Sequence, residues 1–300
     1  MRSEELNDVL ELLEEVRGGD LSQKPLWQQR GEMDTSGLAL PIPEAQIEIT
    51  QSRTNGIPGL KFTPLDGDTR GALLYMHGGG YVIGSAASHR HLVAKFSIDI
   101  GVEAWSIDYR LAPEWGFPAA VDDAVAAYRY ILEAGYSPDQ IIVGGDSAGG
   151  GLAACLLIAL KEQDLPQPAG AFLISPWTDL TQSGETYKTR GAVDPLVKKI
   201  DLDEMAMAYL QGVDPQTPTA SPLYADLTGI APVRIVVGDL ETLLGDSLRF
   251  ADKARSAGVE VQLDVHPDMI HIFPYFWPLL TEAREACDKI TSACRKWLDN

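Results

Sequence analysis

Gly145-Asp146-Ser147-Ala148-Gly149 is a G-x-S-x-G stretch, and its surroundings decide how it reads. Before it, Gln140-Ile141-Ile142-Val143-Gly144 is short and rich in β-branched residues. After it, Gly150-Gly151 leads into the apolar run Leu152 to Leu160, which includes Cys155. Strand, tight turn and buried helix, in that order, are what a nucleophile elbow requires. The glycines are there for a physical reason, since side chains flanking the strained central residue would keep the strand and the helix apart. The helix also aims its N-terminal N–H groups at Ser147, where negative charge would develop.

Outward from the elbow, the pattern alternates. Strands are predicted at 46–52, 59–63, 71–76, 102–107, 140–144, 169–175, 232–237 and 259–265, with a turn at Asn55-Gly56 joining the first two. Helices are predicted at 88–100, 118–134, after Ser147, at 246–257 and from about 276 to 298. The apolar run at 71–76 reads as a strand buried on both faces. Alternating strands and helices give an α/β fold, a mostly parallel eight-stranded sheet with helices on both faces. At the N-terminus, Leu6, Val9, Leu10, Leu13 and Val16 make the apolar stripe of an amphipathic helix over 3–17 that Gly18-Gly19-Asp20 stops. A weaker helical stretch covers about 25–36. The segment 183–218 interrupts the alternation, carries a short helix at 203–211 between proline-rich flanks, and is expected to lie over the sheet's C-terminal edge, where α/β sites are found.

Composition sets the limits. The 300 residues carry a net charge of −19, which disfavours nucleic acid and anionic membrane as partners. No apolar run is long enough to cross a bilayer, and Met1 to Glu5 lack a signal-peptide pattern, so the expected place is the cytoplasm. The three cysteines include no metal-type pair; Cys287 and Cys294 are spaced roughly 10 Å along one helix, too far to bridge, and Cys155 reads as small core packing.

His77-Gly78-Gly79-Gly80-Tyr81 ends the strand at 71–76, and three glycines there leave backbone N–H groups free to bind an oxyanion. A serine nucleophile needs a base, and the base an orienting carboxylate. Of five histidines, His77 belongs to the glycine loop, and His89 and His91 begin a helix and read as surface or cap residues. His266 and His271 follow the last strand. His271, among apolar neighbours, is read as the base and His266 as structural. Asp239 and Glu241 both follow the strand at 232–237, and residue physics does not rank them. Asp194-Pro195-Leu196 follows no strand and reads as the start of a turn or helix.

Taken together, His77-Gly78-Gly79-Gly80-Tyr81, Asp108-Tyr109-Arg110-Leu111-Ala112-Pro113-Glu114, Gly145-Asp146-Ser147-Ala148-Gly149-Gly150, Ser175-Pro176-Trp177-Thr178-Asp179-Leu180 and Ser221-Pro222-Leu223-Tyr224-Ala225-Asp226-Leu227 resemble the hormone-sensitive-lipase branch of serine esterases, with the α/β-hydrolase fold, from about 45 to 298. The resemblance puts Glu241 at the acid position, in place of the commoner Asp, and Thr242 where Pro is commoner. It implies oxyanion donors at Gly79, Gly80 and Ala148, a structural role for Asp146 beside the glycine loop, and a structural pair in Tyr109 and Arg110. It also implies a helical cap from 1–44 and about 183–218 over a catalytic domain of 45–182 and 219–300.

The expected reaction is hydrolysis of short- to medium-chain carboxylic esters through an acyl-enzyme, with a Ser147–Glu241–His271 triad and no metal or cofactor. Tyr81, Trp177, Met205, Met207 and Phe273 are candidate substrate-pocket walls, though each residue type also suits plain core. A lactone or acetyl-ester hydrolase of narrow specificity is the nearer alternative. A non-catalytic small-molecule receptor would lack a triad member. By analogy, a homodimer would form through 259–265.

Overall fold

The computed structural model describes residues 3–17, 24–67 and 69–299, the side chains of 15–17 excepted. The elements run α1 (Glu4–Arg17), α2 (Leu26–Ala39), β1 (Ile47–Thr54), β2 (Ile57–Pro64), β3 (Ala72–Met76), α3 (Arg90–Ile100), β4 (Glu103–Ile107), α4 (Ala119–Glu133), β5 (Ile141–Asp146), α5 (Ala148–Glu162), β6 (Gly170–Ile174), α6 (Thr186–Thr189), α7 (Lys199–Leu210), β7 (Val233–Gly238), α8 (Leu244–Ser256), β8 (Val261–His266) and α9 (Thr281–Leu298). One sheet holds the eight strands in the order β1-β2-β4-β3-β5-β6-β7-β8. β1 and β2 pair antiparallel, as do β2 and β4; every later pairing is parallel.

Asn55 and Gly56, both at positive φ, make the tight hairpin turn that joins β1 to β2. The strands β3, β5, β6 and β7 are buried along their whole length because helices cover both faces. One apolar core lies under α4, α5 and α8; the other joins α3 and α9 to the opposite face. The N-terminal stripe belongs to the second core: Leu6 and Val9 are buried in it and Leu10 and Leu13 pack against it. The Val16 side chain and the Gly18-Gly19-Asp20 stop lie outside the described residues. Cys155, Cys287 and Cys294 are free and buried.

Two boundaries differ from expectation by four residues or more. α9 starts at Thr281, because Pro274 and Pro278 lack the N–H groups a continuous helix needs; a separate 3₁₀ turn occupies Phe273–Phe276. α7 starts at Lys199, four residues early, with Asp201 in its first turn.

The sheet's C-terminal edge is covered. From α2, Arg30 donates to the Val82 and Ala112 carbonyls and forks onto Glu114 at 2.7 Å, and Asp34 accepts from Ser85 Oγ at 2.5 Å. From α7, Tyr209 stacks on Tyr81 at 4.0 Å. Among the described residues, no helix is long and apolar enough to cross a membrane.

Candidate active site

Adjacent parallel strands bring the motifs together. Met76, at the end of β3, registers with Gly145 on β5, so the glycine loop and the elbow leave the sheet side by side. Ser147 lies between β5 and α5 with φ 52° and ψ −121°. A non-glycine residue there carries about 1–3 kcal/mol of strain, and its neighbours hold it. The Ser147 N–H donates to the Ile174 carbonyl at 2.8 Å, and its carbonyl accepts from Gly151 at 2.9 Å and Trp177 at 3.0 Å. A β-carbon on Gly149 would sit 2.1 Å from the Met76 carbonyl oxygen, which is why this position takes glycine.

Ser147 Oγ lies 3.0 Å from His271 Nε2, and His271 Nδ1 lies 2.9 Å from Glu241 Oε2. With Nδ1–H donating to the carboxylate, Nε2 is left to accept the serine proton. Ser147 is 9% exposed, His271 4% and Glu241 0%. The other carboxylate oxygen, Oε1, accepts from Ser175 Oγ at 2.7 Å and Gly238 N–H at 2.6 Å. Ser175 Oγ in turn accepts the Ile272 N–H at 3.0 Å, tying the acid to the residue after the histidine. Burial pushes the Glu241 carboxyl up, against its hydrogen bonds from His271, Ser175 and Gly238. At His271 burial acts to lower the pKa, but the Glu241 bond and charge, with Asp194 and Asp146 adding to them, carry it above the ordinary histidine value. Asp239 takes no part in this relay: its N–H donates to the His266 carbonyl, and among the described residues its carboxylate makes no hydrogen bond to His271. The half-buried His266 packs on Phe273, 4.8 Å between ring centroids.

The glycine loop divides its labour. Gly78 N–H is taken by Asp146 Oδ1 at 3.1 Å. The N–H groups of Gly79, Gly80 and Ala148 donate to no acceptor among the described residues. Gly79 and Gly80 both hold positive φ, 117° and 63°. Asp146 is fully buried and also accepts from Tyr75 Oη at 2.7 Å and pairs with His89 Nε2 at 3.2 Å. Burial would raise its pKa, yet the charge and bond of His89 and the Tyr75 bond lower it. Burial drives His77 down to about 4, so its ring is neutral at pH 7. Tyr109 stacks on that ring at 4.3 Å and donates to the His77 carbonyl at 2.8 Å, while Arg110 forks onto Asp123.

Some expectations change. His89 and His91 are not on the surface, both being fully buried, although His89 does stand at the N-cap position of α3, without a side-chain cap bond. His89 faces Asp146, and His91 Nε2 bonds the Tyr275 carbonyl at 2.8 Å. The helix start that suggests exposure is tucked under the glycine loop. Tyr81, Trp177 and Phe273 are completely buried core rather than an open wall. Met207 is 73% exposed, outside the set of α7 residues, Leu202, Ala206, Tyr209 and Leu210, that are buried. Met205 remains beside the site: a β-carbon on Gly80 would meet its Sδ at 2.0 Å. Sequence reasoning misses Ser175 and His89 as partners of the site. Ser175 carries a signal, a polar residue at the end of a buried strand within a recognised motif; His89 carries none.

A family with the alpha/beta hydrolase fold matches residues 73–275. An acetyl-hydrolase of Streptomyces hygroscopicus is 39% identical over 96% of this chain and 95% of its own length. An ethyl acetate hydrolase of Pseudomonas putida is 30% identical over 97% and 98%. The crystal structure of an esterase from the bacterial hormone-sensitive lipase family superposes with a TM-score of 0.95 at 39% identity, covering 99% of each chain.

Proposed function

Because the chain belongs to the α/β-hydrolase family and, within it, to the hormone-sensitive lipase group, we propose that it is a serine carboxylesterase acting on short- to medium-chain esters in the cytoplasm. The observation that best supports this reading is the unbroken relay from Ser147 Oγ through His271 to Glu241, at 3.0 and 2.9 Å, beside three N–H groups that donate to no acceptor among the described residues. Ser147 Oγ attacks the ester carbonyl while its proton passes to His271 Nε2. Glu241 holds the ring and stabilises the imidazolium. Gly79, Gly80 and Ala148 donate to the oxyanion, each such donor being worth about 3–4 kcal/mol in the transition state. His271 then protonates the leaving alcohol. Water, deprotonated by the same ring, attacks the acyl-enzyme and releases the acid and free serine.

The described part of the N-terminal 44 residues and the segment 183–218 form the cap. Met205, over Gly80, limits the acyl or alcohol group that can lie at the oxyanion loop. This crowding, with Ser147 only 9% exposed, favours small esters and makes a narrow acetyl-ester hydrolase the second reading. A homodimer would form along β8, one of the two edges of the sheet, where Val265 is 42% exposed.

The test is hydrolysis of p-nitrophenyl esters from acetate to decanoate by the wild type and Ser147→Ala. The expected result is activity concentrated on short chains that falls by about 10⁵- to 10⁶-fold in the variant. Activity that survives the substitution would rule the serine mechanism out.

A further inference from the structure

Thr242 follows Glu241 directly and is completely buried. All its polar groups are used, and all by the segment between β6 and α7. Its N–H donates to Asp194 Oδ2 at 2.7 Å, its hydroxyl to the Val197 carbonyl at 3.0 Å, and its carbonyl accepts from Thr186 Oγ1 at 2.8 Å. Thr186 Oγ1 accepts the Gly245 N–H at 3.0 Å, so the same segment also grips the start of α8.

Asp194 is the centre of this contact. It is fully buried, in a segment with no regular structure, where a carboxylate is costly unless its oxygens are satisfied. One oxygen accepts from Leu196 and Val197 N–H at 2.9 and 3.0 Å, closing its own turn; the other reaches across to Thr242. The Lys198 ammonium binds the Asp194 carbonyl at 2.5 Å and the Gly191 carbonyl at 2.8 Å, which fixes that turn from outside. A turn-forming aspartate needs only the first set of bonds. The second set joins it to the residue after the proposed triad acid.

We propose that Asp194 is a positioning residue: by holding the Thr242 N–H it sets the turn that carries Glu241 against His271, and it couples that turn to the segment leading into α7. The proposal rests on the reading of Glu241 and His271 as acid and base. The carboxylates acting on the His271 ring are Glu241 from the turn after β7, Asp194 from the segment before α7, and Asp146 from the end of β5. Asp194 therefore acts on the ring through space as well as through the turn, and both actions favour the protonated imidazole. The α7 end of the same segment places Met205 on Gly80, so one continuous stretch touches the acid turn and the oxyanion loop.

The experiment compares Asp194→Asn, Asp194→Glu, Glu241→Gln and wild type on p-nitrophenyl butyrate, with full pH profiles, separate kcat and KM, and folding checked by circular dichroism and Tm. Asp194→Asn is expected to lower kcat about tenfold with little change in KM, since a small misplacement of a catalytic group costs at least that. The acid limb of its kcat/KM profile moves to lower pH, because a negative charge near His271 is gone. Asp194→Glu keeps the charge, so its acid limb stays with the wild type's while kcat falls from altered reach. A purely structural role would lower Tm and leave both kcat and the acid limb of Asp194→Asn at wild-type values; that result overturns the proposal. If Asp194→Asn does not fold, Asp194→Glu decides: a wild-type kcat overturns it, and a reduced kcat with an unmoved limb supports it. If Glu241→Gln keeps wild-type activity, the triad reading has failed, which is a different outcome from failure at Asp194 alone.

Discussion

Two buried histidine–carboxylate pairs flank Ser147, and only one of them ends on it. Glu241 and His271 lie 2.9 Å apart, and the far nitrogen of the ring faces Ser147 Oγ. Asp146 and His89 lie 3.2 Å apart, and the far nitrogen of that ring faces Ser88 Oγ at 2.9 Å. Burial is complete, or nearly so, in both. What differs is the second partner of the imidazole. A ring whose outer nitrogen meets a hydroxyl at the strained elbow can relay a proton to a reacting atom. A ring whose outer nitrogen is absorbed by the start of α3 can only brace. The second pair braces the glycine loop, because Asp146 also holds Gly78 N–H. In the proposed reading, chemistry at this site follows from where the ring's free side points rather than from the pairing of acid and histidine.

The largest separation between the two pairs is expected from removing the charge of each acid in turn. Glu241→Gln places an amide N–H₂ against His271 Nδ1 and forces the wrong tautomer. The expected loss in kcat/KM is about 10⁴-fold. Stability should change little, because the Gln oxygen can still accept from Ser175 and Gly238. Steady-state kinetics and Tm of the purified variant check both halves. A Glu241→Gln enzyme within tenfold of wild type would erase the difference between the two pairs.

Asp146→Asn should show the reverse balance. Its carboxylate serves Tyr75, Gly78 and His89, and an amide serves at most part of that set. Leaving one of these buried groups unsatisfied costs about 1–3 kcal/mol. Activity should fall only about tenfold to a hundredfold, through a displaced glycine loop. Urea unfolding alongside kinetics separates the two. A variant that lost activity as completely as Glu241→Gln with unchanged stability would mean that Asp146 takes part in the chemistry.

The two pairs also differ in how far they can be read from the chain. The strand–turn–helix around Ser147, the glycine triplet after β3 and a histidine after the last strand are local patterns, each set by backbone demands that act over a few residues. They are enough for the sheet, its order of helices and the pairing of Ser147 with His271 as candidates. The ranking of Glu241 over Asp239 comes from family resemblance, because two carboxylates on one short turn differ only in where tertiary contacts aim them. His89 reads as surface or cap because a histidine at the start of a helix looks exposed until Asp146 is known to lie beneath it. Asp194 reads as a mere turn former because it follows no strand; its partner Thr242 is 48 residues away, a distance no local pattern spans. Three of the candidate wall residues turn out to be packed inside for a related reason. Apolar residues of core and of pocket are the same residues, and only the packing of Tyr81, Trp177 and Phe273 tells which they are.

The smallest expected effect is in the pH profile, and it bears most directly on which ring titrates in the reaction. In the proposed mechanism, His271 must be neutral to take the serine proton. Despite burial, the Glu241 bond and charge raise its pKa above the ordinary value of about 6.5. The acid limb of kcat/KM for the wild type should therefore have its midpoint above that value, with activity rising as pH passes through it. The same raised pKa stabilises the fold at acid pH, and this contribution fades as pH climbs through the folded-state value. His89→Gln removes the second ring but leaves Asp146, Glu241 and Asp194 in place, so the midpoint should stay where it is while Tm drops by a few degrees. If the midpoint moved in His89→Gln, the bracing pair would be coupled to the relay, and the two pairs would have to be treated as one system. If it held, the acid limb would belong to His271 alone, the one ring whose free nitrogen reaches Ser147.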